Sequence, residues 1–427
     1  MRSPDRHIRG IAGMRAVSLI LLTGILSLTA WGQSAPTPTP TPTPAPTPAP
    51  LSYTAGTLVA AGTLFQPEGL AQDAAGNLYV ADAGNNVVRT VNTVNGSMSI
   101  FAGTVGRTYR DDNPALPATC RKNGDGCGPA LATFGSPRSV AIDAAGDIFI
   151  SDFWSSTIRR VDASSGNIST YAGNAGGWSS TSLHNAEGIA VDAAGNLYIA
   201  DRGNNAVRKV TPPAAPGSQA VMTTIAGLGP NSPGCSGDGG KAVAAALTLP
   251  QDVAVDAAGN IYIADTGCRK VRIITPDGNI ATLVGVGGTP PAPGDAIPYN
   301  PAPQPGLSAV LAKPVALTID GAGHLFIADP WIDAIWLYDL AGLDAYVVAG
   351  MGPKSRALAP CVAATNASGD GCPATQAHIN AGYRVAIGPS GVVYVPEHGG
   401  GKNPLPPFTI RMLTPVAPAI QGAGGGN

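Results

Sequence analysis

One eleven-residue phrase recurs along this chain and restricts its fold more than any other feature. Val-Asp-Ala-Ala-Gly-Asn-Leu-Tyr-Ile-Ala-Asp occupies residues 191–201. Close copies lie at 72–82, 142–152, 255–265 and 319–329, and a degraded sixth copy lies at 387–397. Self-similarity at intervals of this size predicts a repeat architecture, in which each unit buries its apolar face against the next one.

Each copy sits within four short apolar stretches, which in the third unit are 188–191, 197–200, 206–210 and 222–226. Asp-Ala-Ala-Gly-Asn joins the first two stretches and Asp-Arg-Gly-Asn-Asn joins the second and third, and both sequences are typical of tight turns. Four antiparallel strands per unit, repeated six times, predict an all-β fold. We expect a six-bladed β-propeller of four-stranded antiparallel blades.

The sixth unit predicts how the ring closes. It contains three strand-like stretches, at 384–387, 392–395 and 409–413, but lacks the final stretch ending in Ala-Gly that other units carry. A matching stretch, Leu-Val-Ala-Ala-Gly, lies near the other end of the chain at 58–62. We therefore expect the N-terminal strand to complete the last blade, which leaves no free edge in the ring.

These residues resemble the NHL-repeat propellers. The consensus of that family runs approximately P-x-G-[IV]-A-[VI]-D-x-x-G-[NDR]-[IL]-Y-[VI]-A-D-x-x-N-x-x-[IV]-[RK], and residues 186–210 match it nearly throughout. The resemblance spans about 53–416, with departures after Asp329 and at Gly388. It implies the propeller fold but no single activity, because the family includes RNA binders, protein-interaction modules, extracellular sensor domains and a zinc lyase.

The N-terminal segment predicts export. Four arginines precede an apolar run at 16–30, which is shorter than the roughly 20 residues needed to span a bilayer core. Small residues at Ala30 and Gly32 favour cleavage after Gly32; the alternative is an uncleaved anchor. We predict a signal peptide at 1–32, a Pro/Thr-rich polyproline-II linker at 33–52, the propeller at 53–416 and a flexible Gly-rich tail at 417–427. The expected location is secreted, periplasmic or at the cell surface.

Charge excludes one class of partner. The chain has 25 Lys and Arg against 27 Asp and Glu, for a formal net charge of −2. No basic stripe of the kind that nucleic acid requires is present in the sequence. The expected partner is a protein, a peptide or a glycan, bound by a monomer that carries no cofactor and inserts into no membrane after cleavage.

The residues just before the innermost strands are the candidate site, because they vary where a structural residue would repeat. In a propeller these positions line the mouth of the central channel, and a mixed polar ring there could read a small polar ligand. The alternative is that the acidic and basic members simply pair with each other. The candidates are Glu68, Arg138, Glu187, Gln251, Asp252, Tyr383 and Arg384.

Other polar residues repeat with the blades and predict structural roles. An acid ends each second strand, and we expect it to accept hydrogen bonds from its own following turn; the alternative is that the six acids form a cation site on the axis. The third-strand arginines are expected to form hydrogen bonds between blades. Three Gly-Asp-Gly sequences, at 124–126, 237–239 and 369–371, favour turns over calcium loops, which need several spaced oxygen ligands. The five histidines suggest no convergent zinc set and predict no metal site. The acids are Asp82, Asp152, Asp201, Asp265, Asp329 and Glu397.

Five of the six cysteines lie in connections between units, near the Gly-Asp-Gly sequences, and Cys268 lies in the turn between the second and third strands of the fourth unit. Two pairs are near in sequence, and the remaining two lie in segments that leave the blades on the same side. Fifteen pairings are possible. We expect Cys120 to pair with Cys127, Cys235 with Cys268 and Cys361 with Cys372, because this assignment needs no chain to cross the ring.

Two functions remain. The first is a secreted binding module, which binds its ligand at the channel mouth and on the face formed by the disulfide-linked loops. The alternative is a propeller enzyme, lyase or lactonase-like, with its site at the same mouth. Because no catalytic set can be assembled from the sequence, we favour the binding module.

Overall fold

The computed structural model describes residues 51–416, except 61, 112–116, 118–119, 121–122, 174–181, 214–219, 289–299, 351–360, 362, 366–369, 380–383 and 398–407. All described residues belong to one compact unit, 50–427. The predicted signal peptide, the tail and all but the end of the predicted linker lie outside the described residues. Within the described part, no helix is both long enough and apolar enough to cross a membrane.

The described strands form six antiparallel sheets, which are the six predicted blades. Blade 1 contains β2 (Pro67–Gln72), β3 (Asn77–Asp82), β4 (Val87–Asn92) and β5 (Met98–Ala102). Blade 2 contains β6 (Pro137–Ile142), β7 (Ile148–Asp152), β8 (Thr157–Val161) and β9 (Ile168–Ala172). Blade 3 contains β10 (Ala186–Val191), β11 (Leu197–Asp201), β12 (Ala206–Thr211) and β13 (Val221–Ala226).

The second half of the ring follows the same order. Blade 4 contains β14 (Pro250–Val255), β15 (Ile261–Asp265), β16 (Lys270–Ile274) and β17 (Ile280–Val284). Blade 5 contains β19 (Ala316–Ile319), β20 (His324–Asp329), β21 (Ala334–Asp339) and β22 (Asp344–Ala349), and the two-residue β18 (Gln304–Pro305) adds a fifth, outer strand. Blade 6 contains β23 (Ala386–Ile387), β24 (Val393–Glu397) and β25 (Thr409–Pro415).

β1 (Tyr53–Val59) pairs antiparallel with β25 and is the outermost strand of blade 6. It begins and ends earlier than the predicted stretch 58–62. The register places Thr54 opposite Thr414, and shifts between Thr57 and Val59. The predicted stretch therefore lies largely beyond the paired strand.

The helical structure of the described residues consists of short 3-10 turns. Several of these turns follow the Gly-Asp-Gly sequences, where alanine-rich stretches such as 242–246 begin. Each turn is a single three-residue unit, too short to form an independent helix. They are Ala83–Asn85, Pro129–Leu131, Arg202–Asn204, Ala242–Ala244, Thr266–Cys268, Gly306–Ser308 and Ala374–Gln376.

The recurring turn explains why the phrase Asp-Ala-Ala-Gly-Asn is kept. In blade 3, Asp192 Oδ1 accepts hydrogen bonds from the backbone N–H groups of Ala194 and Asn196, at 2.9 Å each. Gly195 has φ +79°, a conformation that glycine adopts without steric cost. The turn thus satisfies its own backbone donors and fixes the register between β10 and β11, whose apolar residues then face the neighbouring blades.

The core lies between blades. Side chains from adjacent sheets form buried clusters, such as Tyr198, Val253 and Ile263 between blades 3 and 4. The innermost strand of each blade contacts the innermost strand of the next, and β23 contacts β2. The six inner strands surround a central cavity of about 240 Å³. The connections between blades and the turns between second and third strands lie at one end of this channel, and that end is called the loop face below.

All three disulfides join the predicted partners. Cys120 pairs with Cys127, Cys235 with Cys268, and Cys361 with Cys372. The bridge between Cys235 and Cys268 ties the connection before blade 4 to the turn between β15 and β16. Its formation confirms that these two segments meet on the loop face.

Candidate functional site

Arg384 is among the residues that line the central cavity. Its backbone precedes β23 in blade 6, but its side chain reaches blades 4 and 5. Nη1 donates to the backbone carbonyls of Gln251, at 3.0 Å, and Val315, at 3.3 Å. The same nitrogen lies 3.2 Å from Asp252 Oδ2. A single buried guanidinium therefore connects three of the six blades.

Asp252 is fixed from both sides. Its Oδ1 accepts the N–H of Val253 at 2.9 Å, and its Oδ2 accepts the N–H of Leu317 at 2.9 Å. A Cβ at Gly188 would overlap Asp252 Oδ1, so glycine at this position leaves room for the carboxylate against the backbone of β10. Burial raises the pKa of Asp252, while Arg384 and the backbone donors favour its charged form.

Two glutamates complete the charge network at the mouth. Glu68 forms a close ion pair with Arg138 of the next blade. Glu187 Oε1 lies 3.2 Å from Arg202 Nη1, and Glu187 Oε2 lies 3.9 Å from Arg384 Nη2. Burial raises the pKa of both glutamates, and the neighbouring arginines oppose that rise.

The sequence-predicted residues thus come together in large part, and they do so as pairs. Glu68 contacts Arg138, and Arg384 contacts Glu187 and Asp252. Gln251 contributes its backbone carbonyl to Arg384, while Tyr383 lies outside the described residues. Whether this network also binds a ligand stays a prediction.

Two exposed tryptophans on the loop face were missed by the sequence argument. Trp154 and Trp331 are 59% and 42% exposed. Both occupy the second position after the acid that ends the second strand. Sequence could have revealed them, because at the same position the other blades carry glycine: Gly84, Gly203 and Gly267.

The glycines at this position are required by close packing. Each donates its N–H to a carbonyl in the connection before its blade, and a Cβ there would overlap that connection. Trp154 donates the same hydrogen bond, to Gly135 O at 3.0 Å. Here the glycine is on the opposite side of the contact, since a Cβ at Gly135 would crowd Tyr109 and Trp154. In blade 2 the glycine thus lies in the connection and not in the turn, which leaves room for the tryptophan in the turn.

Cations accompany these aromatic residues. The guanidiniums of Arg138 and Arg202 lie over the ring of Phe153, at 4.9 Å and 6.0 Å from its centroid. Lys313 Nζ lies 5.5 Å from the ring centroid of Trp331. Burial, followed by the charge of Arg202, lowers the pKa of Lys313.

The acids that end the second strands are structural, but their backbone partners differ in part from those expected. The sequence predicts donors in each acid's own following turn, and Asp329 accepts such a bond from the N–H of Trp331. In five blades the carboxylate also accepts an N–H from the connection 17 residues earlier, as Asp82 does from Phe65 at 2.7 Å. The following turn supplies side-chain donors, such as Asn85 Nδ2 at 2.8 Å. These carboxylates therefore hold the connections onto the blades.

The third-strand arginines also differ from expectation, since they bond within their own blade or to the preceding connection. Arg208 pairs with Asp201 of the same blade at 2.9 Å. Arg272 donates to Asp238 of the Gly-Asp-Gly connection at 2.7 Å, and Thr282 donates to the same carboxylate. Equivalent contacts join Asp125 to Arg159 and Thr170, and Asp370 to Arg411 and Thr57.

Each Gly-Asp-Gly aspartate therefore attaches its connection to a buried arginine of the following blade. This aspartate–arginine contact is called a latch below. Among the residues described, no group of three or more His, Cys, Asp and Glu side chains has an arrangement that could hold a metal ion.

Family models match the centre of the chain. A model described as NHL repeat matches residues 183–210, and one described as teneurin NHL domain matches residues 214–290. The matched segments contribute to blades 3 and 4 of the six-bladed ring. The chain is a six-bladed β-propeller that contains NHL-repeat sequence.

Solved structures share the fold at low sequence identity. A structural genomics protein of unknown function from Bacteroides thetaiotaomicron is 15% identical, with a TM-score of 0.56 over 86% of this chain and 77% of that one. An auxiliary nutrient binding protein from the same organism is 10% identical, with a TM-score of 0.52 over 86% and 77%. A gluconolactonase from Xanthomonas campestris is 13% identical, with a TM-score of 0.49 over 85% and 90%. No curated protein matches this NHL-repeat propeller.

Proposed function

We propose that this NHL-repeat propeller is an exported, monomeric binding module that recognises its ligand on the loop face, at the channel mouth. The observation that carries the proposal is the pair of exposed indoles, Trp154 and Trp331, beside the charged network. Large exposed aromatic residues next to arginines are the composition of binding hot spots. Elsewhere in the ring glycine fills the same position, so the fold itself does not call for a tryptophan.

Export is supported by two features. The sequence begins with the predicted signal peptide, and the described part of the chain carries three disulfides. Disulfides persist in oxidising compartments and are rare in reducing ones.

The test uses the chain purified without residues 1–32 and applied to an array of glycans and peptides. Trp154→Ala and Trp331→Ala should each weaken the strongest interaction at least tenfold, because each removes an exposed aromatic contact. Val94→Ala is the matched control, since Val94 is an exposed apolar residue in a turn at the opposite end of the blades. An interaction that survives both tryptophan substitutions would place binding elsewhere.

One observation favours the enzyme alternative. Glu68 and Glu187 are carboxyls at the mouth whose pKa values burial raises, a property that general acids share. Glu187→Gln separates the two functions. A ligand that is chemically converted by the unaltered protein but only bound by this variant would identify an enzyme.

A further inference from the structure

The charges at the channel mouth are layered. The side chains of Glu68 and Glu187 are 4% and 10% exposed, whereas those of their partners Arg138 and Arg202 are 25% and 32% exposed. The carboxylates therefore lie beneath the guanidiniums. A ligand that approaches from solvent meets cations first, although the formal net charge of the whole chain is −2.

Aromatic rings lie beside these cations in two groups. Trp154 packs edge-on against Phe153, with ring centroids 4.8 Å apart, and both Arg138 and Arg202 lie over Phe153. Trp331 and Lys313 form the second group. Blades 2 and 5, which carry the two tryptophans, are three places apart in a ring of six and are thus opposite each other. The two groups therefore belong to opposite sides of the ring.

On the basis of the proposed binding function, we propose that the ligand is an acidic glycan. Uronate carboxylates would be held by Arg138 and Arg202 on one side of the mouth and by Lys313 on the other, and sugar rings would pack on Trp154 and Trp331. Guanidinium groups present paired N–H donors that match a carboxylate, and such charge-assisted hydrogen bonds are among the stronger ones. An indole offers a flat apolar surface with little entropy to lose, which suits the C–H face of a sugar ring.

The geometry favours a glycan over an acidic peptide. Extended peptides commonly bind by adding a strand to an open sheet edge. The mouth is built from turns and from the starts of inner strands, which already pair with second strands of their own blades. The mouth therefore offers side chains, and not a main-chain edge, to a ligand.

The experiment compares a galacturonate oligomer with the same oligomer as its methyl ester, by isothermal titration calorimetry against the chain without residues 1–32. The acid should bind at least tenfold more tightly than the ester, and more weakly as salt is raised. Arg202→Met and Lys313→Met should each reduce acid binding about tenfold and leave ester binding unchanged. Lys209→Met is the matched control, because Lys209 also lies over an aromatic ring, that of Tyr198, at 5.7 Å, but away from the mouth.

The outcomes separate this inference from the function on which it rests. If acid and ester bind equally and both need Trp154, the carboxylate inference is wrong and the binding module stands. If a polyglutamate peptide binds at the mouth and no oligosaccharide does, the glycan is wrong. If array ligands bind without involving Trp154 or Trp331, the proposed function fails as well.

Discussion

Arg384 shows how one residue can organise a channel. Its guanidinium compensates Asp252 and Glu187 and also caps two carbonyls of other blades. Removal of one partner from a buried ionic group leaves uncompensated charge, which costs more than the net contribution of the intact group.

We therefore expect Arg384→Met to destabilise the propeller by about 3–5 kcal/mol, measured by denaturant unfolding. Arg110→Met is the control, because Arg110 is exposed, and it should change stability by less than about 0.5 kcal/mol. Addition of Asp252→Asn to the Arg384 variant should recover part of the loss. Equal stability of the two single variants would show that Arg384 is not compensating buried charge.

Asp265 predicts an unusual dependence of stability on pH. Burial raises its pKa to about 7, against the opposing effects of the Thr248 N–H and Arg272. In an unfolded chain the value is about 3.9. Between these values the folded state holds a proton that the unfolded state releases, so stability falls as pH rises from about 4 to 7.

Asp265→Asn removes this titration and should flatten the profile of unfolding free energy in that window by up to about 4 kcal/mol. Asp277→Asn is the control, because Asp277 is exposed and hydrogen bonds, first that of Thr275, lower its pKa from its ordinary value. A profile for Asp265→Asn that runs parallel to that of the unaltered protein from pH 4 to 7 would refute the assignment.

At the scale of residues, repetition in the sequence predicted where the polar side chains lie better than it predicted which groups they contact. The repeat located the mouth residues, because each lies at a fixed distance in sequence before a turn that recurs from blade to blade. It could not find that Asp82 bonds to Phe65, since that contact depends on a connection folding back over its own blade. The two tryptophans were visible only as departures from glycine, and the close approach of Gly135 to Trp154 depends on packing that the repeat does not reveal.

At the scale of elements, two kinds of contact hold the connections onto the blades: aspartate–arginine ion pairs and disulfides. Asp125, Asp238 and Asp370 each join a connection to a buried arginine, and the disulfides lie in the same segments. These latches occur before blades 2, 4 and 6. The cysteine pairs were predictable because topology places connections and second turns at the same end of a blade, while the latch required the positions of the arginine side chains.

Reduction of the disulfides should loosen the loop face and leave the ring folded. Loop-closure entropy gives about 2–3 kcal/mol for each short bridge and about 4 kcal/mol for Cys235–Cys268. Apolar burial between six blades greatly exceeds these contributions. We expect the far-ultraviolet circular dichroism to persist in dithiothreitol while cleavage by protease in the connections increases. Global loss of the β signal on mild reduction would contradict this, and a Cys235→Ala/Cys268→Ala variant under oxidising conditions isolates the longest bridge.

At the scale of the whole molecule, stability depends on the ring as a closed object. Each blade covers the apolar face of its neighbour, so a defect in one blade exposes two. The pairing of β1 with β25 predicts that residues from both ends of the chain must be present for blade 6 to be complete. β1 is also bonded to the last connection, since Ala55 N–H donates to Cys372 O at 3.0 Å and Gly371 N–H donates to Ala55 O at 2.9 Å.

Deletion of 53–59 should therefore remove both the outer strand of blade 6 and the partner of the last connection. Tyr53, Ala55 and Val59 are buried, so their loss should destabilise the protein by about 5 kcal/mol and leave β25 as an open edge. Thermal unfolding and light scattering should show a lower midpoint and self-association. Deletion of 36–50, in the predicted linker, is the control and should change neither quantity. If the two deletions behave alike, closure depends on something other than the N-terminal strand, because only one of them removes a paired edge.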